Sequence, residues 1–234
     1  MGNVVLPVLL TILGGCDATP PLRHWSLKPG DWFLYAAERA TQVEVSRQRL
    51  WIRNGGEVMG VDGQPAWLRE IGSGSAELLR LDPRGLSRIA WLGGAVDGRR
   101  TRALDQSLLL PLRATLDARW ESPDRTRLLE RKVDGYGRLF VVDEAVRIDW
   151  RVSAVDESVA VPSGRFSHCL RLEGRGSGRF KGDRSVTGSR FTVTETQWLA
   201  PAVGLVRLER EETTDGGIIP VGHYRLELIE RGPD

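Results

Sequence analysis

The side chains able to perform chemistry are few and scattered. Three histidines, His24, His168 and His223, lie far apart in the chain. None falls in an H-E-x-x-H or comparable metal-ligating spacing. Cys169 follows His168 directly, but neighbouring side chains on a strand point to opposite faces, so the two do not make a thiol–imidazole dyad. A small buried thiol and a satisfied or half-exposed imidazole are the expected roles. Asp143-Glu144 and Glu211-Glu212 diverge for the same reason and are poor acid–base partners. Neither a G-x-S-x-G elbow nor a G-x-x-x-x-G-K-[ST] phosphate loop occurs. The sequence therefore offers no catalytic residue, no metal site and no cofactor motif, and the expectation is a protein that is not an enzyme.

Binding chemistry is better represented. Eight tryptophans are many for 234 residues. Their plain reading is core packing; their functional reading is an aromatic-lined space for an acyl chain or another apolar ligand. Trp150, Phe191, Glu195 and Trp198 are the candidate lining residues. Glu195 shares an alternating face with Phe191 and Val193, so it can point into an apolar interior. A buried carboxylate there commonly takes an arginine partner. Arg171 to Arg190 carries six basic residues against Glu173 and Asp183, with Gly174, Gly176, Gly178 and Gly182 interspersed. It reads as a flexible basic hairpin, either solvated or touching lipid phosphates.

Asn3 to Cys16 is a short apolar run ending in Leu13-Gly14-Gly15-Cys16. Its core, Val4 to Leu13, is too short to span a bilayer unaided. It has the length of a secretory core, followed by small residues. The segment resembles a bacterial lipoprotein signal, although residues 1 to 15 contain no Lys or Arg. The resemblance implies diacylglycerol on the Cys16 thiol, cleavage before Cys16 and acylation of the new amine. Asp17 resembles an inner-membrane retention signal of some Gram-negative systems, which leaves inner and outer membrane both open. With Cys16 lipidated, Cys169 has no disulfide partner.

The totals describe an ordinary folded protein, 41% hydrophobic and 27% charged. A net charge of +2 is too small to argue for nucleic acid. The expected organisation is a signal peptide over 1–15, a proline-bearing tether over 16–26 and one β domain over 27–232. Val146, Ile148, Trp150 and Val152 alternate with polar residues, as do Phe191, Val193, Glu195 and Gln197, and Tyr224, Leu226 and Leu228. Half-buried strands of this kind build antiparallel sheets. Asn54-Gly55-Gly56 reads as the break of a hairpin. Val61 to Gly98 is ambiguous, with short strands expected at Ala76–Leu81 and Ser87–Leu92 and room for a few short helices. The fold class is all-β, a single curved antiparallel sheet or half-barrel.

Three segments in order resemble one group. Leu27-Lys28-Pro29-Gly30-Asp31-Trp32-Phe33-Leu34-Tyr35 is similar to an opening "PL-x-x-G-x-x-W-x-Y". Val161-Pro162-Ser163-Gly164-Arg165-Phe166-Ser167-His168-Cys169-Leu170 is similar to "VPAGTF-x-x-C-L". Trp198-Leu199-Ala200-Pro201-Ala202-Val203-Gly204-Leu205-Val206-Arg207 is similar to "W-x-APGVGLVK". Together they resemble the DUF3108-like group of bacterial envelope proteins, which implies a curved sheet akin to lipocalin- or LolA/LolB-like lipid carriers and supplies no catalytic residues. Ala202 stands where that group often has Gly, which weakens any claim that the turn there needs a positive φ.

The leading reading is a lipid-anchored envelope protein that binds an apolar ligand such as a lipid, or an envelope partner. A scaffold without a cavity, and a hydrolase using His168, His223 and Glu195, stay open beside it. The address is testable first. Intact mass of the protein from cells should exceed the chain mass by the lipid, and Cys16→Ser should abolish that increment and release the protein from the membrane fraction.

Overall fold

The computed structural model describes residues 22–72, 74–93, 102–133, 138–184, 186–217, 219 and 221–233. Cys16, with the whole signal segment, lies outside the described residues, as does most of the loop after Leu92. Fourteen strands form: β1 (Trp32–Ala40), β2 (Val45–Met59), β3 (Pro65–Ile71), β4 (Ser75–Asp82), β5 (Gly85–Leu92), β6 (Arg102–Pro111), β7 (Arg119–Arg125), β8 (Glu130–Lys132), β9 (Leu139–Val141), β10 (Ala145–Val161), β11 (Gly164–Phe180), β12 (Ser189–Ala200), β13 (Gly204–Thr214) and β14 (Val221–Gly232). Among the described residues there is no helix, against the expectation of a few short ones. The ambiguous Trp67–Ile71 segment is strand because pairing with β2 and β4 on its two sides satisfies its backbone.

Twelve strands make one antiparallel sheet in the order β6-β5-β4-β3-β2-β1-β14-β13-β12-β11-β10-β7. It consists of two meanders, β1 to β6 and β10 to β14, joined where the first strand pairs with the last, with β7 added beside β10. The sheet curls until its edges, β6 and β7, meet. Among the described residues no backbone ladder joins them. Ser107 Oγ donates to the Pro123 carbonyl at 2.8 Å and Trp120 Nε1 donates to the Leu108 carbonyl at 3.0 Å. A strand residue directs its N–H and C=O to the same side, so the donor that Pro123 lacks is one that would have faced this seam. The result is a nearly closed barrel with side-chain closure along one line.

Its inner face carries the core. Val146, Ile148, Trp150 and Val152 of β10 pack with Leu170, Leu172, Phe180, Phe191 and Val193. A second cluster joins Phe33, Tyr35, Leu208, Leu226 and Leu228 to Val159, Val161 and Cys169 at the far end of the β10–β11 hairpin. There Ser163 N donates to the Leu228 carbonyl at 3.1 Å, docking the hairpin tip onto β14.

Several local expectations are corrected. Arg171 to Phe180 is rigid strand, and the connection to β12 occupies only 181–188. Its glycines alternate with Arg175 and Arg179, so the arginines face solvent and the glycines face the core. They are required by close approach. A Cβ on Gly174 would stand 2.7 Å from Ile148 Cγ2 and 2.8 Å from the Trp150 ring, and one on Gly178 would stand 2.5 Å from Phe191 Cζ. Bulky side chains of β10 and β12 thus lie across a glycine stripe. Asn54-Gly55-Gly56 is no hairpin; β2 runs through it with a bulge, and Gly56 takes φ 94°. The bulge leaves Asn54 buried, with Nδ2 donating to the carbonyls of Ser26 at 3.1 Å and Lys28 at 3.3 Å. Ala202 does adopt a positive φ, 57°, and so does His168, 56°. The left-handed residue at 168 resets the alternation, so Cys169 and Leu170 are both buried while His168 is exposed.

The tether expected over 16–26 is not free at its end. Leu22 and Trp25 pack against the core, Ala202 N donates to the Arg23 carbonyl at 2.8 Å, and His24 Nε2 bonds the His168 carbonyl at 3.0 Å. Burial lowers the His24 pKa below its usual value; the His168 carbonyl opposes this and Arg23 adds to it.

Gly174→Val should lower stability by about 1–3 kcal/mol through overpacking. Urea unfolding read by tryptophan fluorescence checks it, with Arg175→Val on the wet face as the near-neutral control.

Candidate functional site

The barrel interior is incompletely filled. A cavity of about 420 Å³ lies against side chains from almost every strand of the sheet. Leu50, Ile52, Ile71, Leu208 and Leu226 supply aliphatic wall, and Trp25, Trp91 and Trp150 supply aromatic wall. Strand alternation is the reason these side chains converge: every second residue of a curled sheet points toward its axis.

Two polar clusters interrupt the apolar wall. The first is centred on Arg210, which is fully buried. Its Nη1 lies 2.6 Å from Asp124 Oδ2 and 2.8 Å from Glu195 Oε2, and its Nε lies 2.8 Å from Glu212 Oε1. Nη2 donates to the Arg125 carbonyl at 2.8 Å. Glu212, also fully buried, accepts from the backbone N–H groups of Arg127 at 3.0 Å and Leu128 at 2.9 Å. Gln197 Nε2 donates to Glu195 Oε1 at 2.6 Å, and Arg127 lies 3.6 Å from Glu195. Burial alone would raise the Asp124 carboxyl; Arg127 and Arg210 beside it hold it below the ordinary carboxylate range. The same three carboxylates raise the Arg210 pKa against the effect of its burial. This network ties the segment after β7 to β12 and β13.

The second cluster spans β3 to β5. Arg69 Nε stands 2.7 Å from Glu77 Oε1, and Arg88 Nη1 stands 3.7 Å from Glu77 Oε2. The Trp25 ring covers the Arg69 guanidinium at 4.8 Å, a cation–π contact. All of Arg69, Glu77 and Arg88 face the cavity.

A scan against protein-family models finds no match for this chain, and a search of curated proteins finds none. Two solved structures are similar over most of their length. One is a protein described as a lipoprotein from Parabacteroides distasonis, at 14% identity and TM-score 0.38, covering 90% of this chain and 99% of the other. The second is an exported protein with a YmcC-like fold from Bacteroides fragilis, at 11% identity and TM-score 0.41, covering 91% of this chain and 100% of the other.

Of the four lining residues expected from the sequence, two reach the cavity. Trp150 does, with Nε1 donating to Ser122 Oγ at 2.9 Å and its ring stacked on Trp120 at 6.2 Å. Glu195 does, but as an arginine-paired carboxylate. Phe191 is instead packed over Gly178 in filled core. Trp198 lies beside Arg207, 5.0 Å from its guanidinium, and donates Nε1 to Glu157 Oε1 at 3.2 Å; the alternation that turns Phe191, Val193 and Glu195 inward turns Trp198 to the other face. The residues weighed for hydrolysis do not converge. His168 pairs with Asp156 at 2.6 Å and His223 lies 3.5 Å from Glu211, both exposed, while Glu195 is buried on Arg210. Burial and the Glu157 carboxylate push the Cys169 thiol up to about 11. Among the described residues no three His, Cys, Asp or Glu side chains are placed to hold a metal ion.

The sequence reading takes Glu211-Glu212 only as a diverging pair, and the Arg210 cluster escapes it. The period-two continuation of Leu208 to Arg210 and Glu212 was the available signal. Arg69, Glu77 and Arg88 come from three strands, and no sequence pattern links them.

Arg210→Met should cost about 3–5 kcal/mol in urea unfolding, since it strands buried carboxylates without their counter-charge. The depressed Asp124 carboxyl stabilises the fold above the ordinary carboxylate range, and that contribution is lost as pH falls through and below the range. Asp124→Asn should therefore show a shallower loss of stability between neutral and acid pH than the parent.

Proposed function

We propose that this chain is a lipid-anchored protein of the bacterial envelope whose barrel binds an apolar small molecule of the acyl-chain type without chemically changing it. The carrying observation is the cavity of about 420 Å³ at the centre of the barrel, walled by Leu, Ile and Trp side chains. That volume falls within the range of small-molecule sites, roughly 300–1,000 Å³. Enclosing ten methylenes yields about 8 kcal/mol gross. Ordering costs of several kcal/mol then leave an affinity on the micromolar scale.

The membrane address rests on the Val4–Leu13 run and Leu13-Gly14-Gly15-Cys16, with the Cys16 lipid as the membrane partner. The three motifs similar to the DUF3108-like group are in keeping with that address. The polar clusters fit a binding role too: they are fixed by mutual ion pairs, which suits orienting a ligand more than transferring protons.

A form beginning at Asp17, extracted with organic solvent, should yield a co-purifying lipid by mass spectrometry. A fluorescent polyene fatty acid should bind it saturably. Leu208→Trp, which fills the cavity, should weaken that binding at least about tenfold while the far-ultraviolet spectrum is kept. Absence of both co-purified lipid and saturable binding would overturn the reading.

A further inference from the structure

The charges in the cavity wall are unevenly matched. Arg39 is paired with Glu130, at 2.9 Å. On one side Asp124, Glu195 and Arg127 line the cavity, with Arg210 and Glu212 paired behind them, so that side carries an excess of one carboxylate. On β3 to β5 the imbalance is reversed: Arg69 and Arg88 share the single carboxylate of Glu77.

The sharing is also unequal. Glu77 is buried and held by Arg69 at 2.7 Å, whereas its distance to Arg88 is 3.7 Å, beyond hydrogen-bond length. The Arg88 Nε is enclosed and, like Arg69 Nε and Glu77 Oε1, has no hydrogen-bond partner, while the Arg88 side chain as a whole is 25% exposed. Arginine does not discharge itself by losing a proton. A half-buried guanidinium whose enclosed donor is unpaired beside an apolar wall favours an anion that meets it. The planar fork of arginine matches a carboxylate or a phosphate.

We propose that Arg88, with Arg69 behind it, forms an anion subsite that receives the carboxylate or phosphate head of an amphipathic ligand, whose tail lies along Leu50, Ile52 and Leu226. The inference rests on the apolar-ligand reading above and adds to it the polarity of the ligand and its direction in the barrel. The carboxylate excess around Arg210 reinforces that direction, because it repels an anionic head from the other side.

The test titrates the form beginning at Asp17 with dodecanoate, with dodecanol and with inorganic phosphate at neutral pH, following tryptophan fluorescence. Dodecanoate should bind more tightly than dodecanol. Arg88→Gln should weaken dodecanoate about tenfold or more and leave dodecanol unchanged. Glu77→Gln, which removes the competing carboxylate, should tighten dodecanoate; it carries the test if Arg88→Gln does not fold. Equal affinities for the two, unmoved by either substitution, would overturn the subsite while leaving the cavity reading intact. Binding of neither would overturn the cavity reading itself. Arg88-dependent binding of phosphate without dodecanoate would show a free-anion site and overturn the assignment to a lipid head.

Discussion

A sheet can bury one face by curling onto itself, and this one must, because no helix among the described residues is there to cover it. Closure decides what each strand may carry. Inward positions have to fill a tapering space or find polar partners, and outward positions are free to be charged. The glycine stripe of β11 follows from this, since Trp150, Ile148 and Phe191 need the room that a side chain there would take. So does the seam, where Trp120 and Ser107 replace a ladder that Pro123 could not complete. Among the described residues every strand of the barrel is paired to its neighbours by backbone hydrogen bonds, interrupted by bulges, except along that line.

Closure also accounts for the buried ions. Inward positions of β12 and β13 that are not apolar have no water to turn to, so Glu195, Arg210 and Glu212 satisfy one another and Asp124. The network holds the segment after β7 in place at Arg125, Arg127 and Leu128, adjoining the strand that closes the seam. Charge inside the barrel therefore serves the wall on one side. On the other side, at Arg69 and Arg88, it exceeds what the wall requires.

The class of fold was legible in the sequence because strands with one wet face repeat every second residue. Val146 to Val152 and Phe191 to Gln197 show this plainly, and both form strands with those residues turned to the core. Departures from the period were not legible. A bulge at Asn54–Gly56 and a left-handed His168 each shift the phase by one residue, and each moved a side chain to the face opposite the one alternation assigns. Asn-Gly is equally compatible with a hairpin and with a bulge; the choice was made by the Ser26–Lys28 carbonyls waiting for the Asn54 amide. The cavity was legible only as a surplus of tryptophan. Strand phase sets Trp150 against it and Trp198 on the outer face, whereas Trp25 reaches it from the segment before β1.

The docking of Leu22 to Trp25 on the barrel sets a leash length. From Cys16 to Leu22 the chain has six residue steps. Fully stretched, these span only about 20 Å. If Cys16 carries the lipid proposed above, that length would keep the rim bearing His168 and Ala202, to which the strap is bonded, within one small-domain radius of the head groups.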